Sequence, residues 1–329
     1  MTAPVVEIRD LNVRFFTYYG VVRAVNGVTF SVMGEETLGI VGESGSGKSV
    51  TALSMMGLIE PPGYVAGGEI LFSGRDLTRI SDDEWLRLRG AEITMCFQNP
   101  MRALNPVMKL GRQLARVHMT HNRSSVSEAT ERAVTLLKEV NIADAERLMG
   151  RYPHQLSGGM CQRVMTVMAM ICEPRVLILD EPTTGLDVTV QKQLLHLLRD
   201  LRERTSASQM LITHDLGVVA NICDRVVVMY GGRVMETAGV EAIFDNPRHP
   251  YTVALLDAIP QVDSQTDLTP IPGTVPEPLH LPSGCPFHPR CTHAMPICSE
   301  DMPLLFDVAE GQLAACHLFS KEGTGVATS

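Results

Sequence analysis

The chain lacks any run of about 18 consecutive apolar residues, so no segment can cross a bilayer as a helix. Positive charge is also short. Lys and Arg number 28 against 37 Asp and Glu, a formal net charge of −9, which is the wrong sign for broad binding to nucleic acid. Residues Met1 to Asp10 contain no secretory apolar stretch, which makes the cytoplasm the expected compartment. The sequence has no internal repeat, no long low-complexity tract and no Cys-x-x-Cys pair. What it does have is length: 329 residues can bury a substantial core and should hold one large domain plus a smaller one.

Periodicity locates the elements. Val5 to Phe16 alternate, with Leu11, Val13 and Phe15 on one face and Asn12 and Arg14 on the other, as a half-buried strand requires. Further strands are expected at Val28 to Val32, Thr37 to Val41, Gly68 to Phe72 and Ile93 to Phe97. Ser81-Asp82-Asp83-Glu84 reads as a capping box that opens a helix running to Leu88. From about 100 to 173 the pattern turns helical, with Ala133, Leu136, Leu137 and Val140 in helical spacing. Apolar strands then return at Val176 to Leu179, Met210 to Ile212 and Val226 to Met229, with helices between them. That alternation implies a parallel sheet covered on both faces. Beyond Val234 the composition shifts, and from Pro260 onward Pro, Gly, Cys and His replace the periodic apolar runs. Domains are therefore expected at 1–235 and 236–329.

Gly42-Glu43-Ser44-Gly45-Ser46-Gly47-Lys48-Ser49 has two glycines separated by four residues and followed by Lys-Ser. Such a loop cradles phosphate when it follows a buried strand and opens a helix, because free amides and the helix dipole then face the anion. Both flanks comply: Thr37 to Val41 precedes it, and Lys48 to Leu58 reads as a helix. In that setting Lys48 reaches the β- and γ-phosphates and the Ser49 hydroxyl ligates Mg²⁺. Asp180 and Glu181 close the apolar strand Val176 to Leu179, which places two carboxylates at its C-terminal end. Asp180 is a candidate for the Mg²⁺ shell, and Glu181 for the base that polarises an attacking water. Ser157-Gly158-Gly159, at the start of another helix, offers a second set of free amides, with a plain helix cap as the alternative.

Taken in order, the phosphate loop, Leu156-Ser157-Gly158-Gly159, the strand ending in Asp180-Glu181, Gly185-Leu186-Asp187 and Thr213-His214-Asp215 resemble the nucleotide-binding subunit of an ABC transporter. The resemblance covers roughly Val5 to Val234. It implies a P-loop NTPase α/β core with an N-terminal antiparallel β subdomain and an inserted helical subdomain. It also implies ATP and Mg²⁺ as ligands, with Gln98 as the Q-loop residue that senses Mg²⁺ and water. His214 would contact the γ-phosphate, and Phe15 is the candidate for stacking on adenine. Ser157, Gly158 and Gly159 would serve ATP held by an opposite subunit, and Asp187 would bridge the dimer interface. Asn99 to Pro106, Pro247 to Thr252 and Ile271 to Pro276 resemble the oligopeptide and dipeptide importer branch, which includes nickel importers. That branch implies a second ATPase subunit in a heterodimer, two transmembrane permease subunits and an extracytoplasmic binding protein. It places the chain at the cytoplasmic face of the inner membrane. A soluble ABC ATPase acting on nucleic acid or ribosomes is the alternative from another class.

Eight cysteines divide into two groups. Cys96, Cys161, Cys172 and Cys223 stand singly, whereas Cys285, Cys291, Cys298 and Cys316 crowd the C-terminal region with His288, His293 and His317 nearby. In a reducing compartment the crowding suggests metal before disulfide. Four thiolates suit tetrahedral zinc or an iron–sulfur cluster, and the spacing does not choose between them. Resemblance to peptide-importer subunits favours a four-iron four-sulfur cluster, with zinc or plain buried thiols as the alternatives.

Overall fold

A computed structural model describes residues 3–98, 103–258, 270–320 and 325–326. The residues after Gln98 that mark the importer branch, Asn99 to Arg102, lie outside that range. The chain divides into two compact units, one formed by 1–79 with 211–329 and the other by 80–210.

In the first unit, strands β1 (Pro4–Thr17) and β2 (Gly20–Met33) form a long antiparallel pair, joined by β4 (Gly63–Phe72) and β5 (Arg75–Asp76) in the order β2-β1-β4-β5. The expected alternation along β1 holds from Leu11 to Arg14, where Leu11 and Val13 are fully buried and Asn12 and Arg14 half-buried. It breaks at Val5 and Val6, both buried, and at Arg9 and Asp10, both exposed, where the pairing with β2 shifts register, and Phe15 is only half-buried. Strand β3 (Thr37–Val41), which leads into the phosphate loop, is buried along its whole length, as a strand covered on both faces must be. It runs parallel to β9 (Arg225–Tyr230), pairing Leu38 with Arg225 and Val41 with Val228.

Beyond β9 the sheet is not parallel. Strand β10 (Arg233–Gly239) pairs antiparallel with β9, and β12 (Gln312–Ala314) pairs antiparallel with β10 and with β11 (Leu305–Ala309). Alternating apolar strands and helices predict only the parallel part, and the extension contributes the antiparallel edge. The helix after the phosphate loop runs Lys48–Met55 and stops short of Leu58, because Gly57 turns left-handed at φ 58°.

The second unit is largely helical. Asp82–Leu88 begins with the expected reciprocal capping box between Ser81 and Glu84. Strands β6 (Ile93–Cys96) and β7 (Val176–Asp180) lie parallel, pairing Ile93 with Val176 and Cys96 with Leu179. Between them in sequence come the helices Leu110–Asn122, Val126–Glu139, Ala145–Leu148 and Gly158–Met170, which form the inserted helical block. Strand β8 (Ser208–Ile212) lies across the sequence boundary of the two units. Among the described residues no helix is long and apolar enough to cross a membrane.

Candidate functional site

The phosphate loop is shaped by two glycines that leave no room for a side chain. A Cβ at Gly42 would lie 2.1 Å from the Met229 carbonyl oxygen, and one at Gly47 would lie 2.6 Å from that of Ala24. Gly47 has φ 97°, a left-handed conformation that costs an L side chain about 1–2 kcal/mol. It caps the helix Lys48–Met55 without any side-chain hydrogen bond, so no side chain of the cap competes for the first amides. Lys48 is buried, and its Nζ donates to the Gly42 and Glu43 carbonyls at 2.7 and 2.9 Å, which draws the ammonium into the curve of the loop. Within the loop Ser46 is buried, whereas Ser49 on the helix is exposed. Phe15 is half-buried, with its ring where a Cβ on Gly63 would fall. Phe16, not singled out by the alternation, is exposed and stacks on Tyr64 at 5.2 Å.

In the other unit, β7 ends at Asp180, which is buried, and the backbone turns at Glu181 with φ 48°. Left-handed backbone at a residue that is not glycine costs about 1–3 kcal/mol, and Glu181 is one of eight such residues among those described. The Glu181 carboxylate accepts from Gln98 Nε2 at 2.7 Å and from Thr184 Oγ1 at 3.0 Å. Sequence reasoning singled out Gln98 and Glu181 separately, and here they touch. Thr184 was missed, although it follows Glu181 by only three residues. Ser157 caps Gly158–Met170, its Oγ accepting from the Met160 amide at 3.4 Å. Asp187 is likewise a cap, accepting from Val190 N at 2.9 Å at the start of Val188–Thr205. His214 is exposed in the turn after β8, next to Asp215, which caps Leu216–Ile222.

The chemistry of the donors suits magnesium. Hydroxyl and carboxylate oxygens are hard ligands, and Mg²⁺ is commonly held by one or two carboxylates together with substrate phosphates rather than by an all-protein cage. The Ser49 hydroxyl in one unit and the Asp180 carboxylate in the other are each ligands of that kind.

The C-terminal cysteines converge. Cys285, Cys291, Cys298 and Cys316 line one small cavity with His288, His293 and His317. Each sulfur has a backbone amide donor: Phe287 for Cys285, His293 for Cys291, Met295 for Cys298 and Leu318 for Cys316. Burial pushes the Cys285 and Cys316 thiols up to about 11, with the neighbouring cysteines adding to the rise. Two of the imidazoles are engaged by main-chain oxygens, His288 Nδ1 by Cys285 O and His317 Nε2 by Asp301 O. Among the described residues, no group of three or more His, Cys, Asp or Glu side chains is arranged to hold a metal ion. The thiols are gathered and hydrogen-bonded, but they do not form a finished coordination sphere.

Other proteins share this architecture. The model of the ABC transporter family matches residues 25–184, and that of the oligopeptide/dipeptide transporter C-terminal region matches 235–298. The oligopeptide transport ATP-binding protein OppD of Salmonella typhimurium is 49% identical, over 94% of this chain and 92% of that protein. The dipeptide transport ATP-binding protein DppD of Lactococcus lactis subsp. cremoris is 46% identical over 99% of this chain and 94% of its own length. A dimeric ATP-binding cassette in a post-hydrolysis state with ADP and Pi superposes with a TM-score of 0.65 at 25% identity, covering 71% of this chain and 98% of that one. With relatives this similar along almost its whole length, the chain belongs to the ABC transporter ATP-binding subunits of the oligopeptide/dipeptide branch, and it is an ATP hydrolase.

Proposed function

We propose that this subunit powers the import of di- and oligopeptides through a channel built by two permease subunits fed by an extracytoplasmic binding protein. The reading rests on the similarity to OppD and DppD together with the matching C-terminal region. The subunit works from the cytoplasmic face of the membrane and pairs with a second ATPase in a heterodimer. Residues 1–235 carry the nucleotide chemistry, and 236–329 form an importer-type extension.

Each site residue takes one role. Lys48 and the loop amides hold the phosphates, Ser49 and Asp180 ligate Mg²⁺, and Phe15 stacks on the adenine. Glu181 polarises the attacking water, while Gln98 orients its carboxylate and His214 contacts the γ-phosphate. Ser157, Gly158 and Gly159 complete the nucleotide site of the partner, with Asp187 beside that interface. The observation that carries the catalytic assignment is Glu181 itself, a carboxylate on left-handed backbone held by Gln98 and Thr184.

The cysteine cavity is proposed to take a four-iron four-sulfur cluster, with zinc as the alternative. Support comes from four thiols each met by a backbone amide, since hydrogen bonds to sulfur are a recognised means of tuning such centres. Its contribution would be structural. Iron, sulfide and zinc analysis of anaerobically purified protein tests it: stoichiometric iron and sulfide support the cluster, and stoichiometric zinc without iron removes it.

The transport reading is tested in proteoliposomes that carry the whole complex. Peptide uptake should require ATP, and Glu181→Gln should bind ATP normally while lowering turnover by about 10²-fold or more. Near-normal steady-state hydrolysis in that variant would contradict the role given to Glu181.

A further inference from the structure

Glu43 is the acidic residue of the phosphate loop, and its neighbours come from the far end of the chain. Its carboxylate is gripped in a fork by Arg290, Nη1 to Oε2 at 2.7 Å and Nη2 to Oε1 at 3.2 Å. Its amide donates to the Tyr251 hydroxyl at 2.9 Å, and its carbonyl accepts from Lys48 Nζ. Arg290 is itself fixed, with Nε donating to Pro272 O at 2.8 Å and Nη1 to Tyr230 Oη at 3.0 Å. Its side chain is only 5% exposed and that of Glu43 is 24% exposed. Tyr230, Tyr251 and Phe287 pack around the pair as a buried aromatic cluster.

A carboxylate in a loop that receives a polyphosphate is electrostatically adverse, and the more so where the local dielectric is low. A planar guanidinium placed bidentate against it cancels the charge and fixes where the carboxylate points. We propose that Arg290 is a positioning residue of the nucleotide site. Through Glu43, the C-terminal extension neutralises the phosphate loop and pins its first turn, so the extension sets the affinity for ATP. This inference rests on reading Gly42 to Ser49 as the phosphate loop.

The test is ATP and ADP titration of the full-length chain. Arg290→Ala should weaken ATP by about tenfold or more, because it leaves the Glu43 charge uncompensated, and should weaken ADP less. Adding Glu43→Gln to Arg290→Ala should return the ATP affinity to within about threefold of wild type, a recovery that a purely structural role for Arg290 would not give. Glu43→Gln alone should tighten ATP binding by about two- to threefold, since Arg290 then contributes unopposed positive charge. This variant carries the test if Arg290→Ala does not fold. Wild-type ATP affinity in Arg290→Ala, no recovery in the double variant, or a tenfold loss in Glu43→Gln would each overturn the proposal. Lys48→Ala separates the two readings. If it loses ATP while Arg290→Ala keeps it, only the role of Arg290 falls. If Lys48→Ala itself binds ATP normally, the phosphate-loop reading falls, and the proposal with it.

Discussion

The helices that begin at Lys48 and at Gly158 both start from glycine-rich turns, yet the chain finishes them differently. At Lys48 the glycines are demanded by the chain itself: Gly42 and Gly47 face backbone oxygens that leave no room for a Cβ, and the cap has no competing side chain. At Gly158 a Cβ would meet nothing within 4 Å, and at Gly159 only side-chain atoms of Val190, at 3.3 Å, and Leu186, at 3.8 Å, while Ser157 already serves one of the first amides. The first turn is a site that the fold builds and closes by its own packing. The second has a glycine, Gly158, whose position its own fold leaves open to a Cβ.

One substitution in each turn should separate the two. The largest effect is expected for Gly47→Ala, where left-handed backbone and the Ala24 oxygen act together. Stability should fall by about 3 kcal/mol, measured by chemical denaturation. A loss as small as that of a surface substitution would mean that the loop is not held as described. A smaller effect is expected for Ser157→Ala, which removes one cap hydrogen bond. It should cost about 1 kcal/mol of stability, with ATP affinity of the single chain unchanged. A cost near zero would show that the Met160 amide has another acceptor.

The same contrast explains what the sequence revealed. Phosphate loop, capping boxes and buried strands are local patterns, in which each residue's environment is set by neighbours a few positions away. Gly42 to Ser49, Ser81 to Leu88 and Val176 to Glu181 could therefore be placed before any coordinates. Arg290 and Glu43 are 247 residues apart, and no periodicity announces a pairing at that distance. Tyr251 was visible only as part of the Pro-Arg-His-Pro-Tyr-Thr marker, Pro247 to Thr252. Its function in the fold, an acceptor for the Glu43 amide, depends on the helix Pro250–Asp257, whose cap is the buried His249. Burial pushes the His249 imidazole down to about 3, which keeps it neutral as the acceptor for the Tyr251 amide. The antiparallel edge made by β10 and β12 was missed for a related reason, because β10 is a seven-residue strand in which Glu236 is buried among apolar neighbours and β12 is a three-residue strand in a Pro- and Cys-rich segment, so neither shows an alternation long enough to read.

The central claim is that one glycine-rich turn serves this chain's own ATP and the other serves a partner's. Gly158→Ala tests it most directly, because the substitution fits the fold and should raise helix stability by about 0.5 kcal/mol. ATP affinity of the single chain and ATP hydrolysis by the assembled transporter would be measured on the same variant. The account predicts an unchanged affinity and hydrolysis lowered by about tenfold or more. Wild-type hydrolysis, or an affinity loss in the single chain as large as that caused by Lys48→Ala, would contradict it.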